Sequence, residues 1–352
     1  MNPGKTRMNF GKKGLLALFA LLLVLPLLAL PAANSAQAAA ASGAAGRTKT
    51  VIGVSVATLW KSPGLARSID APSLAAPVDM KTWTNAMNTA SKRRWLTGKT
   101  ETQALYGSEV KIVQTRGSWS QVVVTDQATS KSRYGYPGWL PTAQLQTVPA
   151  GEWSGTSGSE AVVSAKTAAL YKADGRSRLL DVSFGTRLPV VAASGPWIEV
   201  RTPQHGTARL SAADAKIVAA GRPEEAPTGQ QLVDTGKAFL GLPYLWAGTS
   251  AYGFDCSGFT GAIYAYAGIA LPRDASEQAL AGKAVTKANL QPGDLLFFAH
   301  NNGKGKVHHV AMYVGDGKMM HSPKAGKTVE IIPIATAGYA NEFSAARRYL
   351  NE

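Results

Sequence analysis

Residues 252–268, YGFDCSGFTGAIYAYAG, hold the single cysteine of a 352-residue chain. After Asp255 the apolar residues Phe259, Ile263 and Tyr266 recur at helical spacing, while Gly258, Gly261 and Ala265 leave room for a neighbouring element. The stretch therefore predicts a buried helix with Asp255 as its N-cap. Cys256 falls in the first turn, where unpaired backbone N–H groups and the helix dipole favour a negative sulfur and should lower the thiol pKa. Asp255 opposes this through its own charge, unless the helix cap or a cation takes that charge up. With no second cysteine, Cys256 is either an inert buried thiol or a reactive one.

A reactive thiol needs a base, and four of the five histidines lie at positions 300, 308, 309 and 321, the fifth being the incidental His205. VHHVAMYV alternates as a strand, GDG supplies a turn and KMMHS returns, so the segment reads as a hairpin. A two-residue turn would set Met312 opposite His321 and separate His309 from it. A three-residue turn through Gly315, Asp316 and Gly317 sets Ala311 opposite His321 and brings His309 onto the same face. The second register is preferred, because it makes His309 a base with His321 behind it. His308 competes with His309 from the opposite face of the strand.

Moving outward, Lys5, Arg7, Lys12 and Lys13 precede GLLALFALLLVLPLLAL, and Ala36 and Ala38 supply a cleavage-like Ala-x-Ala. Residues 1–38 read as a signal peptide and 39–50 as a linker, with an uncleaved membrane anchor as the alternative that Pro26 and the cleavage-like tail disfavour; a secreted or wall-associated protein is expected, with no membrane insertion once the leader is removed. Loss of those four basic residues takes the formal charge from +15 to +11. The remainder suits anionic wall polymers better than nucleic acid, since its basic residues are dispersed.

An internal repeat divides the rest. ATLWKSPG at 57 returns as AALYKADG at 168, and Gly107 to Trp119 spans the same twelve positions as Gly185 to Trp197. Short alternating runs broken by Gly and Pro predict two small antiparallel barrels, 51–150 and 158–220. Within the first, residues 65–106 carry helical spacing at Met80, Trp83, Met87 and Trp95 and predict an inserted helix. A Pro-rich linker at 221–230 leads to a third domain, 231–352.

GLPYLWAG, GFDCSGF, LPRDASEQ, LQPGDLLFF, HHVAMYVGDGKMMHSP and AARRYL resemble, in that order, the NlpC/P60 family of cysteine peptidases over residues 231–350. The barrels resemble bacterial SH3-like domains. The resemblance implies an α+β fold, a papain-like catalytic domain preceded by two SH3-like β-barrels. It implies Cys256 as nucleophile, His309 as base and His321 as third member, with Tyr244, Trp246, Asp255, Ser257, Ser276 and His308 along the substrate cleft. It further implies cleavage between γ-D-glutamate and a diamino acid of peptidoglycan stem peptides or murein fragments. In the branch with this architecture a free N-terminal L-alanine is required, and its ammonium would meet Glu101, Tyr136 and Asp255. No cofactor or metal is expected. Zinc on His308, His309 and His321 is disfavoured because adjacent strand residues point apart. An amidase or acyltransferase on the same fold, or a non-catalytic wall-binding protein, are the alternatives.

Overall fold

The computed structural model describes residues 47–153, 158–219 and 226–350; the leader, most of the first linker and part of the second lie outside the described residues. Among the described residues no helix is long and apolar enough to cross a membrane.

The first sheet comprises β1 (Thr48–Ile52), β2 (Val56–Trp60), β3 (Thr100–Leu105), β4 (Glu109–Arg116), β5 (Trp119–Val124), β6 (Tyr136–Pro141) and β7 (Leu145–Pro149). The second comprises β8 (Ser159–Val163), β9 (Thr167–Tyr171), β10 (Arg178–Ser183), β11 (Arg187–Ser194), β12 (Trp197–Thr202), β13 (Gly206–Ser211) and β14 (Ala215–Ala219). Their orders, β3-β2-β6-β5-β4-β1-β7 and β10-β9-β13-β12-β11-β8-β14, are the same order displaced by seven strands. Even the local irregularity repeats: the register shift between Ile112 and Gln114 recurs between Val190 and Ala192, at the offset that relates Gly107 to Gly185. Such bulges bend and twist a strand, which a small barrel needs in order to curl.

β1 begins at Thr48, inside the stretch read as linker. The insertion also differs from its expectation. It ends before β3, and in place of one helix it carries α1 (Ala71–Leu74), α2 (Met80–Ala86) and α3 (Ala90–Arg94). The break arises because Asp79 and Thr89 each cap a new helix, accepting from Thr82 N at 2.9 Å and Lys92 N at 3.3 Å. A capped start at Thr89 costs less than carrying its hydroxyl through a helix interior. Met80, Trp83 and Met87 are buried with Trp60, Leu96 and, from the third domain, Leu245.

In that domain α4 (Gly229–Lys237) begins within the supposed second linker, its start fixed by a Thr228/Gln231 capping box. The hairpin β15 (Thr249–Ser250) and β16 (Gly253–Phe254) leads into α5 (Cys256–Tyr266), followed by α6 (Ala275–Gln278). β17 (Lys283–Val285), β18 (Leu295–Ala299), β19 (Val307–Gly315), β20 (Lys318–His321), β21 (Glu330–Pro333), α7 (Tyr339–Glu342) and β22 (Phe343–Arg348) complete the chain. The strands form one antiparallel sheet, β17-β22-β18-β19-β20-β21. Phe259 and Ile263 of α5 pack with Phe297, Val310, Met312 and Met320 of this sheet. Each such buried side chain contributes about 1.5–3 kcal/mol, so the helix that bears the thiol is pinned to the strand that bears the histidines.

Candidate active site

Asp255 caps α5, its Oδ1 accepting from Gly258 N at 2.6 Å. A Cβ at Gly258 would lie 2.0 Å from the carbonyl oxygen of Gly248, so only glycine lets the helix start approach the preceding turn this closely. Cys256 is half-buried, and the backbone N–H groups of Val310 and Ser257 reach its sulfur. Val310 directly follows His309 on β19, so the thiol lies against the strand that carries the imidazole.

The hairpin adopts the expected register by a different turn. Met312 pairs with Met320 and Tyr313 with Met319, which carries Ala311 opposite His321. The turn is a two-residue one through Asp316 and Gly317, both at positive φ (51° and 66°), and a bulge between Tyr313 and Gly315 supplies the odd residue. Two positive φ values match the twist of a tight hairpin, which is why Asp-Gly sits there. His309 and His321 consequently meet, with His309 Nε2 2.8 Å from His321 Nδ1.

Across the sheet Glu330 pairs with His321, and its Oε1 lies 3.5 Å from His321 Nε2. An N–H at His321 Nε2, facing Glu330, leaves Nδ1 to accept from His309 Nε2–H. In that arrangement His309 Nδ1 retains its lone pair. Tyr339 of α7 packs on both rings, with centroids 5.5 and 5.1 Å away.

Electrostatics reverse one expectation. Burial, then the neighbouring Asp255 carboxylate, push the Cys256 thiol up to about 12 rather than down. Burial and the charges of His321 and His308 hold His309 well below the usual imidazole range, and burial takes His321 to about 4. Desolvation of the charged form outweighs the helix dipole here. At rest both the thiol and the imidazole are neutral.

The cation for Asp255 is internal. Arg273 Nη2 donates to Asp255 Oδ2 at 2.7 Å, Nη1 to Asp255 Oδ1 at 3.2 Å and to Ser257 Oγ at 3.0 Å, and Nε to Thr102 Oγ1 at 2.8 Å. Asp255 and Ser257 are therefore spent on a buried network, and Asp255 does not join Glu101 and Tyr136. Asp274 takes that place: Tyr136 OH donates to its Oδ1 and Oδ2 at 3.0 and 3.1 Å. Into the group reaches Lys131, whose Nζ lies 3.0 Å from Glu101 Oε2 and 3.5 Å from Asp274 Oδ2 and donates to Tyr136 OH. Burial works against the Lys131 charge, but Tyr136 and the two carboxylates override it and raise its pKa.

The other expected residues separate into those at the thiol and those away from it. Tyr244 is buried, and burial followed by the charges of Cys256 and Asp255 keeps its hydroxyl protonated, a donor near the sulfur. Trp246 instead donates to Thr100 O at 3.1 Å and packs on the insertion, so it joins the domains. Ser276 is half-buried in α6, two residues beyond Asp274. His308 points off the opposite face of β19, 3.1 Å from Glu342 Oε2. The metal set weighed from sequence is thus split, since His308 faces away from His309 and His321. Sequence reasoning missed Lys131, Arg273, Asp274, Glu330 and Tyr339. Arg273 and Asp274 stood within the quoted LPRDASEQ motif, the one available signal.

A helix-borne thiol packed against a strand carrying one of two bonded histidines defines a papain-like cysteine hydrolase. Residues 241–348 match the NlpC/P60 family, and residues 163–217 match the YKFC SH3b2 domain. The chain is 47% identical over 306 residues to a gamma-D-glutamyl-L-lysine dipeptidyl-peptidase of Bacillus cereus, covering 86% of this chain and 91% of that one. It is 38% identical to a Bacillus subtilis protein of the same name, covering 86% and 99%. The crystal structure of a Bacillus cereus NlpC/P60 family protein superposes with a TM-score of 0.82 at 47% identity, covering 86% of this chain and 100% of the other. The chain belongs to the NlpC/P60 family of peptidases.

Proposed function

We propose that the protein is an exported cysteine endopeptidase that cuts the γ-D-glutamyl–diamino acid bond of peptidoglycan stem peptides bearing a free N-terminal L-alanine. The observation that carries this reading is the ammonium of Lys131 held by Glu101, Tyr136 and Asp274. Two carboxylates and a phenol around one ammonium are a site for a primary amine, and the substrate amine would replace the lysine there. Asp274 adjoins Arg273, which binds Asp255, which adjoins Cys256, so the amine site and the nucleophile are linked by one short run of contacts. That fits an enzyme counting a dipeptide from the amino end, as the names of the relatives describe for them.

In this reading the Cys256 sulfur attacks the γ-carbonyl carbon as its proton passes to His309 Nδ1. The protonated His309 returns that proton to the departing amine as the C–N bond breaks. Water, deprotonated by His309, then hydrolyses the thioester and frees the thiol. This reading assigns the backbone N–H of Cys256, at the start of α5, to the developing oxyanion. Export rests on the leader read at residues 1–38, and the secreted protein is expected to begin near Ala39.

The test is hydrolysis of L-Ala-γ-D-Glu-L-Lys and its N-acetylated form, with products identified by mass. The free peptide should yield L-Ala-D-Glu and lysine, acetylation should lower kcat/KM on the order of 100-fold, and Cys256→Ala should abolish turnover. Equal rates on both peptides would overturn recognition of the amine, and a product cut elsewhere would overturn the bond assignment.

A further inference from the structure

A second cluster of chemically able side chains lies outside the catalytic group. β18 ends at Ala299, and the following turn closes through His300 N donating to Lys306 O at 3.2 Å and Gly305 N to His300 O at 2.8 Å. That closure sets His300 beside His308 at the start of β19, their rings stacked with centroids 4.2 Å apart and 17° between planes. Glu342, the last residue of α7, brings Oε2 to 3.1 Å from His308 Nε2. One donor atom from each of His300, His308 and Glu342 lies within 4.8 Å of the other two.

We propose that His300, His308 and Glu342 form a binding site for one borderline divalent metal ion of the Zn²⁺ type on the outer face of the strand that carries His309. Two imidazoles and one carboxylate are a donor set suited to Zn²⁺, Ni²⁺ or Cu²⁺ rather than to the all-oxygen cations Ca²⁺ and Mg²⁺. Bond lengths near 2.0–2.1 Å put donors of a tetrahedral site about 3.3 Å apart. The His308–Glu342 pair already has that spacing. His300 and His308 are exposed and Glu342 is half-buried, so rotation about their side-chain bonds can unstack the two rings and turn both imidazole nitrogens toward one point. Three protein donors leave one position for water.

The location gives the site a consequence. Tyr339, which packs on His309 and His321, opens the same four-residue helix that ends in Glu342. A bound ion would bridge the turn after β18, β19 and α7 and so fix the wall behind the two catalytic rings.

The experiment uses the untagged chain carrying Cys256→Ala, which removes the thiol as a competing ligand. Zn²⁺ is titrated by calorimetry, and Co²⁺ by its visible absorption. One ion per chain is expected, with a rise in Tm, and His300→Gln and Glu342→Gln should each weaken affinity at least tenfold while matching the parent Tm in EDTA. Absence of one-to-one binding, or binding that both variants retain at parental affinity, overturns the site. Binding lost in His309→Ala but kept in His300→Gln would place the ion at the catalytic rings and overturn it equally.

Discussion

Cys256 carries a strong test of how the chemistry starts. Its thiol is pushed up to about 12 by burial and Asp255, and His309 is pushed down by burial and its histidine neighbours, so both groups rest neutral at pH 7. Because the thiolate is the alkylating species, the rate of reaction with iodoacetamide should climb about tenfold per pH unit between pH 7 and 9. A plateau below pH 8 would mean a preformed thiolate and would remove the role proposed for His309 as base for attack. Arg273 is the companion case. Arg273→Met leaves Asp255 charged, buried and unpaired, which should cost about 3–5 kcal/mol in urea unfolding. An unchanged midpoint would show that the pair does not hold the helix start. Cys256 could be read from sequence because one residue and its N-cap neighbour declare themselves locally. The direction of its pKa could not, since desolvation depends on everything packed around the sulfur.

The elements that meet here, α5 and the β19–β20 hairpin, were legible to different depths. Period and an N-cap gave α5 its start at Cys256, and alternation gave the hairpin the face on which His309 and His321 meet. The turn was not legible in the same way, because a bulge beside Tyr313 and a two-residue Asp316-Gly317 turn yield the same register as a three-residue loop. Glu330 was hidden for a related reason: its pairing with His321 follows from the long return through β21. Position along α5 is fixed by the approach of Gly258 to Gly248 O. Gly258→Ala should therefore push the helix start outward and draw the sulfur away from the Val310 N–H of β19. A displacement of about 1 Å can cost 100-fold, so kcat/KM should fall by that order with a lowered Tm. Wild-type turnover in that variant would show that the helix start has slack.

Across the whole molecule, the repeat that divides the chain was visible because both copies keep the same glycines, whereas the docking of the first barrel on the catalytic domain joins residues far apart in sequence. Arg93 of α3 donates to Tyr244 O at 3.0 Å, Gln103 Oε1 accepts from Thr249 N at 3.1 Å, and Glu277 Oε1 accepts from Ser130 N at 2.8 Å. These contacts hold the loop bearing Lys131 over Asp274, so the Lys131 cluster, the proposed amine site, exists only where two domains meet. Lys131 contributes one positive charge against the two carboxylates of Glu101 and Asp274. In the proposed reading a substrate amine displaces that lysine, whose half-exposed side chain can swing to water. Lys131→Met should accordingly lower KM for a free-amine peptide by about three- to tenfold, since two unpaired carboxylates then face the incoming ammonium. The acetylated peptide, with no charge to offer, should be unaffected. Steady-state kinetics on both peptides decide it: a KM that rises for the free amine would make Lys131 a contact for substrate instead of its competitor.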